Sequence, residues 1–260
     1  MTANPALLED LRRRIGPACR AASPVLPFGD ARIDAHLPGN GLPIGHLHEI
    51  GAPDGPASDA ASPAAGFASV LAAGLARRDQ DRAVLWIATC CDLYAPGLLA
   101  FGLNPARLIV AQAGTDAEAL QTAETALRSA AAAVVVAEAA TLGGLASRRL
   151  SLAAQHGAST LLLLRRRRRG PAGLATTRWL VAPAPSAPCT YPATGAVPPL
   201  RARAPRWRVD LLHARGGRQG AWIMEAEDAS DHVRVVAVLG DDAAASRAAG
   251  PEPAGWRAAG

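Results

Sequence analysis

The sequence predicts an α/β fold, a mostly parallel sheet with helices on both faces, extended by a C-terminal antiparallel hairpin. Three observations predict it. Apolar runs at residues 83–88, 107–111, 133–137 and 159–164 are separated by segments of helical periodicity, the mark of βαβ units. Within these runs apolar residues do not alternate with polar ones, as expected of strands covered on both faces. Beyond Leu164 strand follows strand, and a Gly216-Gly217 turn joins the runs 206–212 and 221–225 into a hairpin.

Taken in order, the chain opens with a helix within residues 1–20. Asn4 caps it and Pro5 suits its first turn. Leu7, Leu8, Leu11 and Ile15 form one stripe, Arg12, Arg13 and Arg14 lie on the wetter side, and Gly16-Pro17 ends the helix. The stripe is a candidate interface, with the body of its own chain or with a partner. Residues 21–45 form a Pro/Gly-punctuated connector with one turn of helix. The core, residues 46–239, starts with a short strand at 46–50, bounded by Gly45 and Gly51. A loop over 52–63 leads into a helix with Phe67, Val70, Leu71, Gly74 and Leu75 on one face.

The strand at 83–88 follows, then a short helix within 92–101 turning Leu98, Leu99 and Phe101 inward, then a buried strand at 107–111. Thr115 or Asp116 caps a helix bearing Leu120, Ala123 and Leu127. The strand at 133–137 ends at Glu138. A helix over 141–156 has Leu142, Leu145, Leu152 and His156 as inner candidates, and 159–164 is the next strand. Strands at 176–181, 206–212, 221–225 and 233–239 complete the core. Residues 183–205 are Pro-rich and irregular, and the Ala/Asp/Pro-rich tail 240–260 is expected to be disordered.

Composition narrows the function. The 260 residues suffice for one domain with a sizeable core and short appendages. The net charge is +5, and every basic residue other than histidine is Arg, for the chain contains no Lys. The excess of Ala, Arg, Gly and Pro points to a GC-rich genome. Positive charge favours acidic partners such as nucleic acid, but weakly, because much of it lies in one run. Cys19, Cys90, Cys91 and Cys189 match no zinc spacing and are expected to be buried, reduced thiols. With no signal peptide and no apolar run of membrane-spanning length, the protein is expected to be soluble and cytoplasmic.

The unit from His46 to Arg78 is where chemistry is expected. Strand, Gly-bearing loop and helix form the layout that aims backbone N–H groups and a helix N-terminus at a phosphate. Gly51, Asp54 and Gly55 belong to its loop, and Glu138 ends a neighbouring strand. A working phosphate loop also needs a Lys for the outer phosphates and a Ser/Thr for magnesium. No Lys follows Gly55. A cation about 4 Å from a phosphate charge contributes roughly 4 kcal/mol at an effective dielectric near 20, or about three decades of affinity. Asp54 and Asp59 would in addition repel a triphosphate. The expectation is a degenerate nucleotide site with no turnover, no catalytic residue and no bound cofactor or metal.

Other candidates each carry two readings. Glu138 is a metal ligand, or it caps the next helix or pairs with an Arg. His46 and His48 share a strand face but lack a third ligand, which favours core or edge histidines. Arg165, Arg166, Arg167, Arg168 and Arg169 are a candidate contact for DNA or a partner, and otherwise a solvated loop. If all five met a single strand, the salt slope would be about −3.5. No aromatic interleaves the run, which argues against base stacking. Trp207 and Trp222 are candidate interface anchors, with hairpin core residues as the other account.

A parallel core that opens with Gly41-Leu-Pro-Ile-Gly45 and His48-Glu-Ile50 and closes in a hairpin resembles the RecA core. Residues 134–138 sit at the Walker B strand, and 159–164 with the Arg run sit at the strand leading to a DNA-binding loop. Asp92-Leu-Tyr-Ala-Pro-Gly97, Thr177-Arg-Trp179, the 206–212 strand, Arg215-Gly-Gly-Arg218 and Ala221-Trp222 resemble one branch more closely. That branch is the ImuA family, RecA-like accessory proteins of bacterial damage-inducible mutagenesis, and the resemblance covers residues 5–239. The departures from RecA are the missing Walker Lys and Ser/Thr, Thr89-Cys90-Cys91 in place of a catalytic Glu, and Glu138 in place of the usual Asp.

The resemblance implies a non-catalytic adaptor in SOS-induced translesion synthesis. Its partners would be an ImuB-like inactive Y-family protein and an error-prone DnaE-type polymerase, with RecA and DNA as further candidates. Two other classes stand beside it. One is a DNA-dependent RecA-like ATPase. The other is an inhibitor resembling SulA, a cell-division inhibitor grouped with this family. Nucleotide binding separates the ATPase from the rest, and the identity of the bound protein separates adaptor from inhibitor.

Overall fold

Strands with apolar side chains on both faces must be covered twice, and the centre of the molecule is built that way. The computed structural model describes residues 24–53, 61–90, 92–165, 174–186, 205–226 and 233–239. In chain order the elements are β1 (Val25–Leu26), α1 (Ala31–Asp34), β2 (Leu42–Pro43), β3 (Leu47–Gly51), α2 (Ala61–Arg78) and β4 (Ala83–Ala88). Two 3-10 segments, Ala95–Phe101 and Pro105–Arg107, lead to β5 (Leu108–Gln112) and α3 (Asp116–Ser129). Then come β6 (Ala132–Glu138), α4 (Gly144–Gly157), β7 (Thr160–Arg165), β8 (Thr177–Ala184), β9 (Arg206–Ala214), β10 (Gly220–Ala226) and β11 (Val233–Leu239).

Nine strands form one sheet in the order β11-β10-β9-β8-β3-β7-β6-β4-β5. From β8 to β5 every pairing is parallel, and from β8 to β11 every pairing is antiparallel. This is the predicted class. Alternation along β6 and β7 divides the core. Val134, Val136, Leu162 and Leu164 face α2, packing with Phe67, Leu71 and Trp179. Val135, Ala137, Leu161 and Leu163 face α3 and α4, packing with Ala123, Leu127, Leu150 and Ala154. Thr115 caps α3, its Oγ1 accepting from the Glu118 N–H at 3.2 Å, while the Glu118 carboxylate accepts from Gly114 N–H.

Several expectations are corrected. The connector 21–45 holds a small antiparallel pair, β1 with β2, besides its single helical turn. The strand expected as buried at 107–111 is the sheet edge: Ile109 is 56% and Val110 46% exposed. An apolar run reads the same at an edge as in the middle. The helix expected within 92–101 is the 3-10 segment, and Leu99 points outward from it while Leu98 is buried. In α4, Leu145, Leu152 and His156 are exposed, and the inner face is Ser147, Leu150, Ser151, Ala154 and Gly157. Small residues face inward there because α4 crosses α3 closely: a Cβ on Gly157 would lie 1.8 Å from the Leu127 carbonyl oxygen. Cys90 is exposed rather than buried, because it lies past the end of β4.

Candidate functional site

Parallel strands β3, β7, β6 and β4 end on one rim of the sheet, and the residues expected of a phosphate site are spread along it. Gly51 closes β3 and is in register with Arg165, the last residue of β7. A Cβ there would meet the Arg165 Cβ at 3.7 Å, an ordinary contact, so packing does not demand a glycine. Asp54 and Gly55 lie outside the described residues.

Glu138 closes β6 with its side chain on the α2 face, where a phosphate loop leading into α2 would hold its ligand. The carboxylate is 5% exposed, and its Oε1 accepts the indole N–H of Trp86 at 3.0 Å. Trp86 is fully buried on β4 and opposite Val136 in the register, so Glu138 is reached two residues further along the same face. The bond is charge-assisted and occupies one carboxylate oxygen. Sequence reasoning misses this indole because the two residues are 52 apart and meet only through the β4–β6 register.

Arg165 is 5% exposed and turned inward, on the opposite face from Glu138. Its Nη2 donates to the Ala140 carbonyl at 3.1 Å, and its Nη1 lies 3.9 Å from Glu49 Oε2. Arg178 Nε donates to the same Glu49 oxygen at 3.3 Å. Two guanidinium groups thus flank one buried carboxylate, whose Oε1 has no hydrogen-bond partner. Held this way, Arg165 is a structural cation and is removed from the candidate DNA surface. Arg166, Arg167, Arg168 and Arg169 lie outside the described residues, as do Leu7, Leu8, Leu11 and Ile15.

Trp207 and Trp222, named as candidate interface anchors, are core residues. Trp207 is 3% exposed and packs against Phe67 and Phe101 with ring centroids 6.2 and 5.9 Å apart. Trp222 is fully buried, and its indole N–H donates to the Arg32 carbonyl at 3.0 Å, fixing α1 to the hairpin. Both satisfy the need of a large aromatic for an apolar site.

His48 is a core residue with a defined tautomer. Its Nε2 bonds the Pro43 carbonyl at 2.8 Å, so that nitrogen carries the proton and donates. Nδ1 then accepts from the Thr177 hydroxyl at 2.7 Å, and the Thr177 oxygen accepts the Trp179 indole N–H at 2.7 Å. Complete burial pushes the His48 pKa down to about 3. The ring is neutral and structural. His46 bonds the Ile44 carbonyl instead, and among the described residues no three His, Cys, Asp or Glu side chains gather as a metal site.

A cleft of about 600 Å³ lies at the other end of the strands, between Ile44, His46, Arg78, Arg82 and Gln155. Of the residues weighed as candidates it takes in His46, and it holds none of Gly51, Glu138, Arg165, Trp207 and Trp222. Arg82 is tied down there by Asp79 and by the Ala130 and Ala132 carbonyls. Among the described residues no helix is long and apolar enough to cross a membrane.

Comparison with protein-family profiles gives no match. Curated relatives do match. Protein ImuA of Caulobacter vibrioides strain NA1000 / CB15N is 40% identical over 246 residues, covering 89% of this chain and 96% of that protein. Protein ImuA of Caulobacter vibrioides strain ATCC 19089 / CIP 103742 / CB 15 matches with the same identity and coverage. Among solved structures, SulA from Pseudomonas aeruginosa is 27% identical, covers 46% of this chain and 96% of its own, and has a TM-score of 0.39. Identity of 40%, sustained over nearly the full length of both proteins, assigns the sequence: the chain belongs to the ImuA family.

Proposed function

We propose that the protein is a non-catalytic RecA-like adaptor in SOS-induced, damage-inducible translesion DNA synthesis. It acts in the cytoplasm with an ImuB-like inactive Y-family protein and an error-prone DnaE-type polymerase, with RecA and DNA as further contacts. Family membership supports the pathway. The observation that carries the non-catalytic reading is Glu138, the strand-end carboxylate that would hold the metal. It is buried and bonded to Trp86 in a chain without a single Lys. Phosphoryl transfer needs cations around the phosphates and a carboxylate free to hold a metal. A protein without the loop Lys, and with that carboxylate engaged by an indole, keeps the fold as a scaffold for partners.

The test is co-purification. The tagged chain is co-expressed with an ImuB-like protein and, separately, with a tubulin-like division protein. The adaptor reading expects a stoichiometric complex with the first and none with the second. A complex with the division protein alone would replace the adaptor with an inhibitor.

A further inference from the structure

The outward face of α4 is inverted in polarity. A helix packed on a sheet ordinarily sends apolar side chains inward and polar ones to water. Here Ser147 and Ser151 are buried, while Leu145 and Leu152 are 74% and 48% exposed. Close approach to α3 accounts for the small inward residues, as at Gly157 against the Leu127 carbonyl. It makes no demand on the outward ones. Neighbouring α3 has an ordinary outer face, with Glu118, Gln121, Thr122, Thr125 and Arg128 exposed.

Leu145, Arg148, Arg149 and Leu152 stand at i, i+3, i+4 and i+7 and share one face of α4, the leucines about 10.5 Å apart along its axis. Gln155 and His156 extend that face by a turn, and all six are exposed. Its charge is basic. Arg149 lies 2.6 Å from Glu124 of α3, a carboxylate that Arg128 also engages. Arg148 has no ion pair or hydrogen bond among the described residues. The face leads into the cleft at the start of the parallel strands, which Gln155 lines together with His46, Arg78 and Arg82. There Asp79 is paired with Arg82, and Arg78 Nη1 donates to the Val25 carbonyl at 2.8 Å. Two guanidinium groups against one carboxylate leave the cleft basic too.

We propose that this face of α4, running from Leu145 to the cleft beside Gln155, docks an acidic amphipathic helix of a partner protein. The leucines take the apolar stripe of such a helix, and the arginines between them take its carboxylates, a recognition mode built on anchors at i, i+3, i+4 and i+7. A basic helix would set like charges together. A second copy of this chain, brought up by a two-fold axis, would set Arg148 against the same basic face. Nucleic-acid phosphates would satisfy the arginines but leave both leucines in water. The inference rests on the adaptor reading in requiring a partner protein.

The test is fluorescence anisotropy of the full chain with a labelled helical peptide of about 15 residues, roughly four turns, carrying Leu at i and i+7 and Glu beside them. Micromolar binding is expected, about tenfold tighter than for the same peptide with Lys in place of Glu. Leu145→Gln and Leu152→Gln should each weaken it about tenfold, and Arg148→Glu should remove most of the preference for Glu. Leu99→Gln, which alters an exposed leucine on the 3-10 segment, should leave binding unchanged. Equal affinity for the two peptides overturns the proposal, as does unchanged binding in the α4 leucine variants. So does a doubled chain mass in sedimentation that those variants halve, or single-stranded DNA bound through Arg148 with no effect of the leucines. A peptide that fails to bind while a stoichiometric complex with the ImuB-like protein forms overturns this face and leaves the adaptor reading standing.

Discussion

Acidification to pH 5 is expected to weaken the fold through His48, and the size of the effect follows from its site. Folding lowers the pKa of this ring from 6.5 to about 3. The unfolded chain therefore takes up the proton first. The stability held by the neutral ring is complete above about pH 6.5, is lost progressively below it, and is fully lost only below about pH 3. At about 1.36 kcal/mol per pH unit, and with pH 5 about 1.5 units below the unfolded value, the loss at pH 5 is about 2 kcal/mol. Protonation would also set a second donor against the Thr177 hydroxyl, which already receives the Trp179 N–H. The assay is urea denaturation at pH 8 and pH 5 for wild type and His48→Gln, which keeps a donor and an acceptor but does not titrate. Carboxylates elsewhere titrate equally in both proteins and cancel. Wild type is expected to lose about 2 kcal/mol more than the variant over this interval. Parallel losses, within about 0.5 kcal/mol, would refute the reasoning.

Three further outcomes are expected. Gly157→Ala drives a methyl into the Leu127 carbonyl at 1.8 Å and should destabilise by about 2 kcal/mol or more; an unchanged thermal midpoint would show that α3 and α4 can separate freely. Glu49→Gln leaves Arg165 and Arg178 facing an uncharged amide and should cost about 3 kcal/mol in chemical denaturation, with a loss under about 0.5 kcal/mol as the contrary result. With Arg165 turned inward, at most four Arg of the run remain to meet a single strand. The slope of log affinity for single-stranded DNA against log salt should then be no steeper than about −2.8 from this run, and restoring the fifth contact's worth of slope would contradict the placement of Arg165.

The parallel core was legible because 133–137 and 161–164 are apolar without interruption, as strands covered on both faces are. The same letters misled at 107–111, where β5 is equally apolar but is the last strand of the sheet among the described residues. Edge position follows from strand order, which local pattern does not encode. In α4 hydrophobicity pointed to Leu145 and Leu152, yet the buried face sets a single leucine, Leu150, among Ser147, Ser151, Ala153, Ala154 and Gly157. There close approach to α3 selects for small volume over apolar character. The hairpin and its Gly turn were readable, and so was the choice of core over interface for Trp207 and Trp222 as one of two accounts. Of the candidate site, the missing Lys could be read directly. The Trp86–Glu138 bond and the Glu49 cluster could not, since each joins residues that only the sheet register brings side by side.

The central claim is the proposal that this parallel α/β scaffold neither binds nor turns over nucleotide, and calorimetric titration with Mg-ATP, paired with a hydrolysis assay with and without single-stranded DNA, tests it most directly. The account predicts no heat of binding at millimolar nucleotide and no turnover under either condition. Tight binding with DNA-stimulated hydrolysis would contradict it, and would require an Arg to take the place of the absent Lys beside the loop that follows Gly51.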